Sequence, residues 1–172
     1  MNRRAFTLVE LLVVIAIIGL LSTVAIVSLN SSRLNARNTK RKADLLQISK
    51  ALELYYSYNN AYPDTGGAWQ GVCSSYLGLP DSGPTAWIPG LAPTYMAVLP
   101  RDPNTGIANN GTAQPACQTP GQNCYLYRST PYDYKLLAHC TPEGPMSAAD
   151  PFYDYIRPYW GWTIYTQGGK GW

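Results

Sequence analysis

Phe6-Thr7-Leu8-Val9-Glu10-Leu11-Leu12-Val13-Val14-Ile15-Ala16-Ile17-Ile18-Gly19-Leu20-Leu21 decides the fold of this 172-residue chain. The apolar character carries on to Leu29, and Glu10 is the one charge in that whole stretch. At ~1.5 Å per residue, 6–29 measures about 36 Å, enough to cross a hydrocarbon core of about 30 Å. A cleaved secretory signal has a shorter apolar region, roughly 7–15 residues, that ends in a small-residue cleavage site before non-helical sequence. Here the helical pattern does not stop. No proline occurs before Pro63, and Leu45, Ile48, Leu52 and Tyr55 recur at steps of three and four. They form one apolar stripe, while Arg33, Arg37 and Arg41 form a basic one. Ala36, Ala43, Leu45, Leu46, Gln47, Lys50, Ala51, Leu52 and Glu53 are strong helix formers. The pattern predicts one continuous helix from about Phe6 to about Tyr58, ~80 Å long. Its first half requires lipid or neighbouring apolar helices, and its second half requires a sheet along one side.

Glu10 is the residue that asks for an explanation. A carboxylate inside an apolar span costs at least ~2.5 kcal/mol, so it needs a partner or a route to the interface. The string Arg3-Arg4-Ala5-Phe6-Thr7-Leu8-Val9-Glu10-Leu11 resembles the type III signal of type IV prepilins and type II secretion pseudopilins. That resemblance implies cleavage between Ala5 and Phe6 by a prepilin peptidase on the cytoplasmic side, followed by methylation of the new amino terminus. Phe6 becomes the first residue and Glu10 the fifth. The freed amine and the Glu10 carboxylate lie one helical turn apart, or meet between neighbouring subunits. Such a pair neutralises two buried charges and sets the axial register of assembly. The membrane or filament core is then expected to include Phe6, Leu8, Leu11, Leu12, Val13, Ile15, Ile17, Ile18 and Leu21. Two positions depart from the family pattern: Ala5 stands where glycine is usual, and no proline occurs near Val27, where many members have one. Gly19 alone weakens the helix there, by about 1 kcal/mol relative to alanine.

Charge is distributed unevenly. Between Asn30 and Lys50, six basic side chains face Asp44 alone, whereas 51–172 holds five basic and eight acidic residues. The run Arg33, Arg37, Lys40, Arg41, Lys42 suits anionic lipid headgroups at about 1 kcal/mol per residue, or weak DNA binding, and equally a solvated helix face. A positive-inside count alone would place this run in the cytoplasm. The resemblance implies instead that the leader faces the cytoplasm, and the four cysteines beyond the span suit an oxidising compartment.

Those cysteines are Cys73, Cys117, Cys124 and Cys140, with no CxxC pair and a single histidine in the chain, which argues against zinc and for two disulfides. Asn59-Asn60-Ala61-Tyr62-Pro63 ends the helix, and nine prolines between 63 and 123 mark a long connecting region. The string "YYSYNNAYP" (55–63) resembles the pseudopilin junction between stalk helix and loop. Leu99-Pro100-Arg101-Asp102-Pro103-Asn104 reads as turns and resembles a segment after which some pseudopilins bind calcium. Only Asp102 and Asn104 supply side-chain oxygens there, so no metal is expected. Cys124–Arg128 and Asp133–Cys140 read as two strands joined through Ser129 to Tyr132, with a third at Trp162–Thr166. A hairpin centred on Tyr132 would pair Cys124 with Cys140 and leave Cys73 for Cys117. A slipped register would give Cys117–Cys124 and Cys73–Cys140.

The expected fold class is α+β: a long N-terminal helix, transmembrane then amphipathic, packed on a small antiparallel head with long loops. Its expected divisions are a leader (1–5), a membrane or filament-core helix (6–29), an amphipathic stalk (30–60) and a head (61–172). No catalytic constellation is present. His139 stands alone in a strand beside a cysteine, and Asp150 and Asp154 flank Pro151-Phe152-Tyr153 in a loop. No cofactor is expected. The resemblance implies the major subunit of a type IV pilus-like surface filament for adhesion, motility or DNA uptake. Its partners would be further copies in a helical homopolymer, the prepilin peptidase, the membrane, and an inner-membrane platform with a cytoplasmic ATPase. It would reside in the inner membrane with its head outside the cytoplasm, then in an extracellular filament. A pseudopilin of a type II secretion system and a non-polymerising membrane-anchored binding protein are the alternatives.

Overall fold

A single helix, α1 (Leu8–Asn59, 52 residues), begins the architecture in the computed structural model. The structure describes residues 7–110, 112 and 114–172, apart from the side chains of Val24, Ala25 and Val27. The chain divides into two compact units with the boundary between Ala36 and Arg37, so α1 contributes to both.

In the first unit every side chain described between Leu8 and Leu29 is exposed. A helix whose exposed surface is apolar all round belongs in lipid or among other helices. It is long and apolar enough to cross a membrane. Three of its hydroxyls return their hydrogen bonds to the helix itself. Ser22 Oγ donates to the Ile18 carbonyl at 2.7 Å, Thr23 Oγ1 to Leu20 at 2.7 Å and Ser32 Oγ to Ser28 at 3.0 Å. For Ser22 and Thr23, which lie within 6–29, that self-satisfaction removes a cost of several kcal/mol per group in hydrocarbon, where no water is available.

In the second unit, Arg41, Leu45, Ile48 and Leu52 are fully buried and Asp44 and Ala51 nearly so. The three- and four-residue spacing turns one face of α1 toward the head. The helix stops at Asn60, which takes a left-handed conformation (φ 58°) while its N–H reaches the Tyr56 carbonyl at 2.8 Å. Asparagine tolerates that conformation better than most residues.

The sheet is antiparallel with order β1–β2–β3–β4, from β1 (Gln70–Gly71), β2 (Cys124–Ser129), β3 (Tyr134–His139) and β4 (Gly161–Tyr165). Alternation sorts its side chains onto two faces. Tyr125, Tyr127, Tyr134, Leu136, Ala138 and Trp162 join Leu45, Ile48 and Leu52 in the main core. Cys124, Leu126 and Leu137 take the opposite face and are covered by Cys73, Trp69, Val72 and Tyr76. The three strands expected from sequence are therefore present, with a fourth, β1, that sequence reading left in the connecting region. At Gly71 an added Cβ would lie 2.6 Å from Leu126 Cδ2 and 2.8 Å from the Tyr125 carbonyl oxygen, so the close approach of β1 to β2 demands glycine. The connecting region also supplies core: Trp87, Ile88 and Leu91 are fully buried.

Both disulfide pairings considered from sequence are wrong. The bonds are Cys73–Cys124 and Cys117–Cys140. Cys124 pairs across the hairpin with His139, and Ser129 with Tyr134, so the turn is centred between Pro131 and Tyr132. That displacement moves Cys140 past the end of β3, where it adopts φ 60° and meets Cys117. Cys124 instead faces the β1 side, where Cys73 follows the short strand.

Candidate assembly site

Thr7 and Glu10 form a reciprocal cap at the start of α1. Thr7 N–H donates to Glu10 Oε2 at 2.9 Å and Thr7 Oγ1 donates to the same oxygen at 2.7 Å. The Glu10 N–H in turn donates to Thr7 Oγ1 at 3.2 Å. This is the capping box that Thr-x-x-Glu encodes, and it places an acid where the helix dipole is positive. It gives Glu10 a partner that sequence reading did not assign, although the Thr7–Glu10 spacing held the signal. Ala5 and Phe6 lie outside the described residues. The other expected core positions, Leu8, Leu11, Leu12, Val13, Ile15, Ile17, Ile18 and Leu21, are 48% to 79% exposed and available for packing. Thr7→Val is expected to lose about 1 kcal/mol of first-turn stability, with Thr7→Ser close to wild type. Amide hydrogen exchange at residues 8–11 in detergent micelles checks this.

The basic run has acidic partners. Arg37 binds Glu143 through both Nε, at 2.7 Å, and Nη2. Arg41 binds Asp102 at 2.6 Å and Glu143 at 2.7 Å, Lys42 binds Asp150, and Lys40 binds Asp44 at 2.5 Å. Lys42 Nζ also lies 4.6 Å from the Trp162 ring centroid. Arg33 and Lys40 are exposed. The charge asymmetry of the sequence thus has a structural use, since the basic stalk answers the acidic head. Burial pushes the Glu143 carboxyl up, but hydrogen bonds and charge from Arg37 and Arg41 outweigh it and hold the group below its ordinary range.

His139 is enclosed. Its Nδ1 lies 2.7 Å from the Gln122 carbonyl oxygen and therefore carries the proton. Nε2 is then the acceptor for Tyr76 O–H at 3.2 Å. The neighbouring Cys140 is bonded to Cys117, so no Cys–His nucleophile exists. Burial lowers the imidazole from 6.5 to about 4, with the Gln122 bond pulling weakly the other way. Protons then bind the unfolded chain more readily, so stability is full above pH 6.5 and falls as pH drops toward about 4. The loss amounts to about 3 kcal/mol at most. Thermal unfolding at pH 7 and pH 4.5 is expected to show it, and His139→Asn to flatten it.

Asp150 and Asp154, noted in sequence as loop acids, are brought to different partners. Asp150 meets Lys42, while Asp154 meets the buried Lys135 at 3.1 Å and Arg157 at 3.1 Å. Neither forms an acid and base pair. Among the described residues no group of three or more His, Cys, Asp or Glu side chains is placed to hold a metal ion.

Residues 1–26 match the family model described as a prokaryotic N-terminal methylation motif. Type II secretion system core protein G of Pseudomonas aeruginosa is 33% identical over 106 residues, covering 60% of this chain and 71% of that protein. The core protein G of Pectobacterium carotovorum is 31% identical over 102 residues, covering 59% of this chain and 62% of that protein. The type IV wide pilus major component PilA4 of Thermus thermophilus is 44% identical over 61 residues, covering 36% of this chain and 47% of its own length. No solved structure matches. The chain belongs to the type II secretion pseudopilin and type IV pilin family: it is a structural, non-enzymatic subunit with an N-terminal membrane-spanning helix. Membership implies self-polymerisation and processing by a prepilin peptidase.

Proposed function

We propose that the chain is the major subunit of a type II secretion pseudopilus, a short periplasmic filament assembled through α1. The observation that carries this reading is the breadth of the likeness to core protein G, which extends over about three fifths of the chain. The likeness to the wide-pilus component is higher in identity but covers 36% of the chain. That balance favours the pseudopilus over the surface pilus that the sequence alone first suggested. A surface filament for adhesion, motility or DNA uptake is the second reading, supported by the same 44% identity to a pilus component.

In either case the division of labour follows from the chemistry. Removal of 1–5 frees the Phe6 amine, and 6–29 waits in the inner membrane with the head, 61–172, outside the cytoplasm. The stalk, 30–60, carries the head. An assembly platform driven by a cytoplasmic ATPase then transfers 6–29 from lipid into a bundle of identical helices. The Glu10 carboxylate exchanges its Thr7 cap for the amine of a neighbouring subunit, which pairs two charges otherwise buried alone. The acidic partners of Arg37, Arg41 and Lys42 favour a structural use of the basic run over DNA or anionic-surface binding, for which Arg33 and Lys40 are left exposed.

Deletion separates the two readings: loss of enzyme secretion with surface filaments intact supports the pseudopilus, and the reverse supports the pilus. Intact-mass and N-terminal analysis of native protein is expected to show a chain starting at methylated Phe6. A native chain retaining Met1 to Ala5 in a cell with the peptidase contradicts both.

A further inference from the structure

The turn segment after which some similar pseudopilins bind calcium holds a protein cation here, and its residues do not suit a metal. Calcium takes six to eight oxygen ligands, with carboxylates free to approach it. Asp102 has both carboxylate oxygens engaged. Oδ2 accepts from Arg41 Nε at 2.6 Å, while Oδ1 accepts from Arg41 Nη2 at 3.3 Å and from the Asn104 N–H at 2.7 Å. The second acid at this place, Glu143, lies far away in sequence. Its Oε1 accepts from Arg41 Nη1 at 2.7 Å, from Arg37 Nε at 2.7 Å and from Asn104 Nδ2 at 3.2 Å. Asn38 closes the arrangement: its Oδ1 accepts from Arg41 Nη1 at 2.8 Å and from the Glu143 N–H at 3.2 Å, and its Nδ2 donates to the Glu143 carbonyl at 2.7 Å. Two guanidinium groups therefore balance two carboxylates. A divalent ion added there would meet like charge within contact distance and find the acids already neutralised.

We propose that the Arg41 guanidinium, wholly buried between α1, the Asp102 turn and the Glu143 loop, is a built-in replacement for a structural metal ion that clamps these loops to the stalk and makes the head independent of calcium. The guanidinium is suited to this because its planar fork offers five donors in fixed directions and stays charged at every accessible pH. A lysine supplies the charge without the fork. Being covalently attached, this cation also cannot be removed by dilution or a chelator, so the loops stay docked wherever free calcium is scarce.

Thermal unfolding of the full chain in detergent micelles, followed by tryptophan fluorescence, tests the proposal. Wild-type protein is expected to unfold at the same temperature, within about 1 °C, in excess EGTA and in millimolar calcium chloride. A fall of several degrees in EGTA, or a saturable rise with calcium, overturns it. Arg41→Lys is expected to speed proteolysis of segments 99–106 and 141–146 at least tenfold while calcium still has no effect. Wild-type protease resistance in Arg41→Lys overturns the role of the fork. Should Arg41→Lys fail to fold, Glu143→Gln gives the same reading, with faster cleavage of those segments expected and unchanged cleavage counting against the clamp.

Discussion

Glu10→Ala is expected to cut filament assembly by ~100-fold or more while the subunit accumulates normally in the membrane. Removing one member of a buried charge pair typically costs about 3–5 kcal/mol, because the other charge is left unpaired, and ~3 kcal/mol already corresponds to about 100-fold. In an assembled bundle the unpaired group would be the Phe6 amine. In the membrane the same substitution costs much less, since the first-turn N–H groups lose one cap and the apolar run remains. Glu10→Gln separates the two roles. Glutamine can complete a capping box with Thr7, yet it carries no charge for the amine. Quantifying sheared or cross-linked filaments against total membrane subunit gives the answer. Wild-type filament yield in Glu10→Ala, with the amine still present, rules out the pairing.

The second large effect concerns the head. Cys73–Cys124 closes a separation of 51 residues and Cys117–Cys140 one of 23. Chain-entropy reasoning assigns about 4 kcal/mol to the first and about 3 kcal/mol to the second. Domains of ordinary stability hold about 5–15 kcal/mol in total, so neither loss is small. Cys73→Ala/Cys124→Ala is expected to lower unfolding free energy by about 4 kcal/mol, read from the denaturant midpoint. The bond also ties the β1 segment to β2 behind the sheet, so β1 is expected to be the first element to lose exchange protection. An unchanged midpoint would mean that packing of Trp69 and Val72 over Leu126 and Leu137 suffices without it.

Much of this architecture could be read from the sequence because it is periodic. Leu45, Ile48 and Leu52 advertise a buried helix face through spacing alone, and all three are fully buried. β2, β3 and β4 were legible for the same reason. β1 was not: two residues cannot show alternation, and the glycine in it reads as a turn. Trp87, Ile88 and Leu91 were invisible as core because a loop packs its side chains without a period. The disulfides failed on one residue of hairpin register, which turns a cysteine to the other face. At the candidate site, the Thr7–Glu10 cap is local and was available to reading. Partners of the basic run were not, since Asp102 lies 61 residues from Arg41 and Asp150 lies 108 from Lys42.

The hydroxyls of Ser22, Thr23 and Ser32 bond to carbonyls of their own helix. Nothing polar on Ser22 or Thr23, the two within 6–29, therefore has to be surrendered if the surroundings change from acyl chains to sister subunits. For these groups the two environments are nearly interchangeable, and transfer between them is close to thermoneutral in hydrogen bonding. On the proposed route from lipid into a bundle, the electrostatic cost of transfer then rests on the one acid at the helix start.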